Sequence, residues 1–278
     1  VRTQNFSYRP SGGDRGWQDN QSAVFFPERL MTELNRYPSG NPQRPRLRLF
    51  IFIHGINDGM HSFSQAHYPA YMQSALGTIA ARKNVIIATP HYMGTPYLQN
   101  FNLASFYSQT MTQLGSTIPG FRPTDIQDVV VGAHSAGTCT TPRGLGPARP
   151  APQTPPILQA ISSPLPNEIG LIAYDGCAGT TLTPTNFHAV GGRMPIYINA
   201  DLRGMGDDDN RNATIKRVWE LPTTSSCPSG LQSAAGVTVS CFVKSTPSGE
   251  IGLFETQSGH NESILPMTKM MLRAFYGS

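Results

Sequence analysis

Asp128-Val-Val-Val-Gly-Ala-His-Ser-Ala-Gly137 decides how the rest of this chain is read. Val129 to Val131 is an apolar, β-branched run of the kind that forms a strand covered on both faces. It drives straight into Ala133-His134-Ser135-Ala136-Gly137, a single serine with small residues two positions away on either side. A chain that turns sharply from strand to helix strains the residue at the turn and leaves no room for bulk beside it, which is the logic of the G-x-S-x-G elbow. Ala133 stands where that pattern has its first glycine. The bland alternative is an ordinary strand-to-helix turn with Ser135 as a capping residue.

The alternation around this stretch predicts an α/β architecture. Residues 46–53 begin alternating and end wholly apolar, a strand entering the covered middle of a sheet, and His54-Gly55-Ile56-Asn57 follows at once. Apolar residues three and four apart over 62–82 predict a helix, 84–89 a short buried strand ended by Pro90, and 103–114 a second helix capped by Gly115. With 129–132 as the elbow strand, strand and helix alternate as in a parallel sheet wrapped on both faces. Beyond the elbow, strands are expected at 170–174, 194–200 and 237–244, and helices at 210–221 and 264–275. Residues 1–45, with Phe6, Tyr8, Trp17, Phe25 and Phe26, suit antiparallel edge strands or a cap. Prolines 142, 147, 150, 152, 155 and 156 forbid a long continuous elbow helix and make 142–156 a proline-rich loop insertion.

Composition narrows the class. The 278 residues suit one domain over 1–278, with 38% hydrophobic and only 14% charged residues, 27 Gly and 24 Pro, a loop-rich globular chain. A net charge of +4 excludes no partner by itself, but its densest patch, Arg44, Arg46 and Arg48, reads as a solvated strand entry rather than a nucleic-acid surface. No apolar run approaches the ~20 residues that span a bilayer, so integral membrane association is not expected. The chain opens on Val-Arg-Thr-Gln, as a processed secreted or periplasmic protein would. Cys139, Cys177, Cys227 and Cys241 lack zinc-finger spacing, so no metal or other cofactor is expected. An even count suits two disulfides; Cys227 with Cys241 closes a short loop and leaves Cys139 for Cys177. Asp207, Asp208 and Asp209 read as helix N-terminal charge, with a calcium site as the alternative.

In an open parallel sheet, functional groups gather at the carboxyl ends of the strands. His54-Gly55, Ser135, Asp175, Asp201 and His260 all fall at such ends, in the order nucleophile, acid, histidine. Ala133-His-Ser-Ala-Gly137, the earlier His54-Gly55 pair and Gly259-His260 before the last helix resemble the α/β-hydrolase superfamily over most of residues 46–278. The resemblance implies an α/β-hydrolase fold and a serine hydrolase. Ser135 would be the nucleophile and His260 the base, while His54 shapes the oxyanion loop and His134 packs against neighbouring strands. The acid has two candidates. The superfamily's commoner placement favours Asp201, whereas Tyr174-Asp-Gly-Cys-Ala-Gly179 resembles the acid turn of lipases that take it from the earlier strand. A Cys139–Cys177 bond would also pin Asp175 to the elbow; Asp175 is preferred, with Asp208 a distant third. The oxyanion donors would be the backbone N–H of Ala136 and one from Ile56 or Asn57.

A carboxylic ester, small or polymeric, is the expected substrate, with Tyr68, Tyr71, Tyr92, Met93, Tyr97 and Phe101 as a binding surface. The same triad also serves amides and the carbon–carbon bond of a β-diketone, as in an oxidised polymer. A non-catalytic binding protein on the same scaffold is the alternative from another class, and a metal-dependent hydrolase a third, though no HExxH occurs.

Overall fold

The computed structural model describes residues 1–12, 17–55, 64–78, 83–93, 98, 100–138, 154–176, 195–201, 208–227, 237–247 and 249–276. Among them, nine strands form one sheet: β1 (Arg2–Phe6), β2 (Ser22–Phe26), β3 (Leu47–Ile53), β4 (Val85–Thr89), β5 (Ile126–His134), β6 (Glu168–Tyr174), β7 (Ile196–Asp201), β8 (Val239–Thr246) and β9 (Gly249–Thr256). Their order is β1-β2-β4-β3-β5-β6-β7-β9-β8. The six central strands from β4 to β9 run parallel. The β1–β2 pair at one edge and β8 at the other are antiparallel additions.

The central strands read as unbroken apolar runs because both of their faces are covered. Leu49, Ile51, Val129, Val131, Leu171 and Ala173 face one layer, packed with α1 (Leu30–Arg36), α3 (Leu103–Thr117), α4 (Pro156–Ser162) and α5 (Asp208–Val218). Phe50, Phe52, Val130 and Ile172 point the other way, against α2 (Tyr68–Thr78) and α6 (Ile264–Tyr276). The period-two alternation of side chains thus divides one apolar sequence between two cores. The fold is α/β, as the alternation predicts.

Several boundaries differ from expectation for identifiable reasons. The helix expected at 103–114 runs on through Gly115 to Thr117, because Ile118 is fully buried and its N–H bonds the Leu114 carbonyl. Asn102 caps its start, its side chain accepting from Ser105 N–H at 2.7 Å. The helix expected over 62–82 begins at Tyr68. α4 starts inside the proline-rich stretch, with Pro156 in its first turn, where a missing N–H costs nothing. β9, with Gly252 in its interior, carries a weak strand pattern and was not expected. It, rather than β8, is the parallel strand leading to His260, and β8 is the edge.

Two expectations about the surface are corrected. Arg44 is no solvated entry: its side chain is 9% exposed and paired with Asp125, which is 6% exposed. Nε and Nη2 donate to the two Asp125 carboxylate oxygens at 2.7 and 2.6 Å. Nη1 reaches the Leu34 carbonyl at 2.7 Å and also that of Tyr37, and Nη2 reaches the Gly120 carbonyl at 2.7 Å. Arg48 likewise meets Asp128 at 3.3 Å and lies over the Tyr276 ring. Tyr68, Tyr92 and Phe101 are buried and form core, not binding surface; Tyr71 and Met93 are half-buried, and Tyr97 lies outside the described residues.

Cys227 and Cys241 are disulfide-bonded, as expected. The bond ties the segment before it to the edge strand β8, where Ser226 N–H also donates to the Cys241 carbonyl at 2.9 Å. Closing a loop of this length is worth about 3 kcal/mol on the chain-entropy account, and it covers part of an open sheet edge. Cys139 and Cys177 lie outside the described residues, as does most of 142–156. No helix among the described residues is long and apolar enough to cross a membrane.

Candidate active site

β5 ends at His134 and the chain turns at Ser135, whose φ of +51° lies in the left-handed region that a non-glycine residue seldom adopts. Ser135–Thr138 then forms a single 3-10 turn. That backbone is the strained elbow the small residues of 133–137 predict, and strain of this kind collects at functional positions. On the neighbouring strand, Asp175 leaves β6 with φ +36°. His134 is paired with Tyr174 in the β5–β6 ladder, so Ser135 and Asp175 leave adjacent strands at the same level. On the other side of β5, Ile53 pairs with Ala133, which sets His54-Gly55 beside His134-Ser135.

The turns at these ends pack with no room to spare. A Cβ on Gly55 would sit 2.7 Å from Ser135 Cβ and 3.0 Å from His134 Nδ1. A Cβ on Gly176 would fall 1.8 Å from Thr138 Oγ1, which itself donates to the Ser135 carbonyl at 2.8 Å. Both glycines are therefore there for close approach, one seating the loop after β3 against the serine, the other seating the turn after β6 against the elbow.

His260 is brought to the same place from β9. Its Nδ1 hydrogen-bonds Asp175 Oδ2. A carboxylate only accepts, so Nδ1 carries the proton and Nε2 is the basic nitrogen. Asp175 is 5% exposed and His260 24%, a buried acid holding a ring that still reaches solvent. The His260 ring also lies against that of His134, centroids 4.5 Å apart. Asp201 ends β7 in register with Thr256, its side chain outside the described set, as are those of Ala136 and Asp208; Ile56, Asn57 and Asp207 lie wholly outside it. A groove of about 550 Å³ flanks the His260 loop, lined by Gln257, Ser258, Glu262, Leu265 and Lys269 among others.

His54 is a structural clip. Fully buried after β3, it donates from Nδ1 to the Gly55 carbonyl at 2.7 Å and accepts the Tyr92 N–H at Nε2, 3.1 Å away. One donor and one acceptor define a neutral ring; protonating Nε2 would set donor against donor. Burial accordingly lowers its pKa to about 4. Below the ordinary value near 6.5 the unfolded chain takes up a proton that the folded one refuses, so stability is whole above about pH 6.5 and falls until about pH 4. The expected loss is about 3 kcal/mol. Denaturant midpoints at pH 7 and 4 for the wild type and His54→Gln check it: an equally steep acid loss in the variant would assign the effect to other groups.

Sequence reasoning missed what His134 and Thr138 do. His134 does not merely pack against neighbouring strands, since its Nε2 bonds the His260 carbonyl at 3.1 Å. Its only signal was a ring of the right reach at the variable position of the elbow. Among the described residues, no group of three His, Cys, Asp or Glu side chains is placed to hold a metal ion.

No family model matches the chain, and no curated protein does. Among solved structures, an esterase from Pyrococcus furiosus is similar at 8% identity and a TM-score of 0.37, over 83% of this chain and 84% of that one. That likeness is too slight to bear on what this chain does.

Proposed function

We propose that the chain is a secreted or periplasmic serine hydrolase of the α/β-hydrolase type, one domain that cleaves a carboxylic ester through an acyl-enzyme. The observation that carries this reading is the Asp175–His260 hydrogen bond, made by a carboxylate that leaves its strand level with the left-handed Ser135 turn on the adjacent one. A buried carboxylate that fixes an imidazole as its Nδ1–H tautomer beside a strained serine is what general-base activation of a hydroxyl needs.

Ser135 Oγ attacks the ester carbonyl as His260 Nε2 takes its proton. Asp175 stabilises the imidazolium, which then protonates the departing alcohol as the carbon–oxygen bond breaks. Water then attacks the acyl-enzyme as His260 Nε2 takes one of its protons, and the imidazolium returns that proton to Ser135 Oγ as the acyl–oxygen bond breaks and the acid leaves. The developing oxyanion takes the backbone N–H of Ala136 and one from Ile56 or Asn57. The ester of this reading is small or polymeric, since the chemistry is the same for both. No metal or cofactor takes part, and nucleic acid is not a partner.

Incubation with a fluorophosphonate, followed by peptide mapping, tests this directly beside p-nitrophenyl butyrate turnover. Stoichiometric label on Ser135 with turnover is expected. Absence of both would overturn the reading in favour of a binding protein.

A further inference from the structure

The variable position of an elbow is the one residue whose chemistry the turn leaves open, and here it is an imidazole buried to 2% exposure. His134 Nε2 meets the His260 backbone carbonyl at 3.1 Å. A carbonyl only accepts, so His134 donates from Nε2. The same carbonyl accepts from Ser263 Oγ at 3.1 Å, in the turn that opens α6. His260 is therefore gripped by its main chain from both sides, from the residue preceding the nucleophile and from the helix that follows. The two rings meet at 4.5 Å with a 43° tilt, which adds a packing contact to the hydrogen bond.

We propose that His134 is a positioning residue for the reaction: its Nε2–H ties the main chain of His260 to the elbow and so sets the distance from the base to Ser135. The inference rests on the serine-hydrolase reading above. Asp175 fixes the orientation and tautomer of the His260 ring through Nδ1, but a bond at one side-chain atom leaves the backbone that carries the ring free to drift toward or away from β5. His134 closes that freedom because it belongs to β5 itself and is adjacent to Ser135. The loop over 257–263 hangs from β9, with β6 and β7 standing between that strand and β5, so no ladder bond spans the gap. A displacement of about 1 Å of a catalytic group can cost on the order of 100-fold in rate.

His134→Leu keeps the bulk and removes the donor; His134→Gln restores an N–H at similar reach. With wild-type melting behaviour within a few degrees, His134→Leu is expected to lower kcat and the rate of fluorophosphonate labelling about 100-fold with KM little changed, and His134→Gln to recover most of the loss. Wild-type rates in the leucine variant would overturn the proposal, as would equal losses in the folded leucine and glutamine variants. Proton–nitrogen correlation spectra of the histidine side chains separate this from failure of the hydrolase reading. If the wild type neither labels nor turns over, displaced His260 resonances in His134→Leu, recovered in His134→Gln, still support positioning, and unchanged resonances in both overturn it.

Discussion

Replacing Asp175 by asparagine is expected to lower kcat on the order of 10⁴-fold while the protein stays folded. Asn tolerates the left-handed backbone that position 175 adopts, at φ +36°, nearly as well as Asp, so the turn survives the exchange. The side chain is 5% exposed and bonded to His260 Nδ1. An amide there can present an N–H to the ring, which holds the imidazole in the tautomer with its proton on the wrong nitrogen, and it carries no charge to offset the imidazolium. Asp201→Asn is expected to change kcat little. Single-turnover measurements on a p-nitrophenyl ester would decide between them: a small loss at 175 with a large one at 201 would transfer the acid's role to the later strand.

The second large effect is on stability. Arg44→Met is expected to cost about 3–5 kcal/mol, a sizeable part of the 5–15 kcal/mol that holds an ordinary domain together. Arg44 satisfies both oxygens of a buried carboxylate and the carbonyls of Leu34, Tyr37 and Gly120, joining the end of α1, the segment before β3 and the turn before β5. Removing the guanidinium strips the buried Asp125 carboxylate of both Arg44 bonds and leaves it the Arg122 N–H at 2.8 Å. Arg44→Lys should rescue little, because one ammonium cannot reproduce a planar fork that reaches a carboxylate and three carbonyls. Denaturant unfolding at neutral pH measures both variants, and a loss under about 1 kcal/mol for Arg44→Met would show the cluster to be dispensable.

How much of the site is legible in the chain follows from which contacts are local. Ser135, with Ala133 and Gly137 around it, announces a strained turn because five consecutive residues carry the signal. The left-handed φ at Ser135 is the outcome of those five. The apolar runs within 46–53, 84–89 and 129–132 announce covered strands for the same reason, and the strands stand at Leu47–Ile53, Val85–Thr89 and Ile126–His134. His260 is legible only through its place before the last helix, because β9, the strand that leads to it, carries a weak pattern. β9 has a glycine inside it and lies between β7 and β8, an order that depends on pairing with residues some fifty positions away.

The α/β alternation, the small-residue turn at Ser135, the strand-end placement of the candidate groups and the Cys227–Cys241 pair can all be read along the chain. All of these rest on periodicity, turn chemistry or short spacing. The tertiary structure alone decided that Asp175 meets His260, 85 residues apart, that His134 holds the His260 carbonyl from 126 residues away, and that Arg44 is a buried clamp rather than a surface charge. Those partners are set by the register of parallel strands, and register is fixed by the packing of both faces of the sheet at once, which no local stretch of the chain contains.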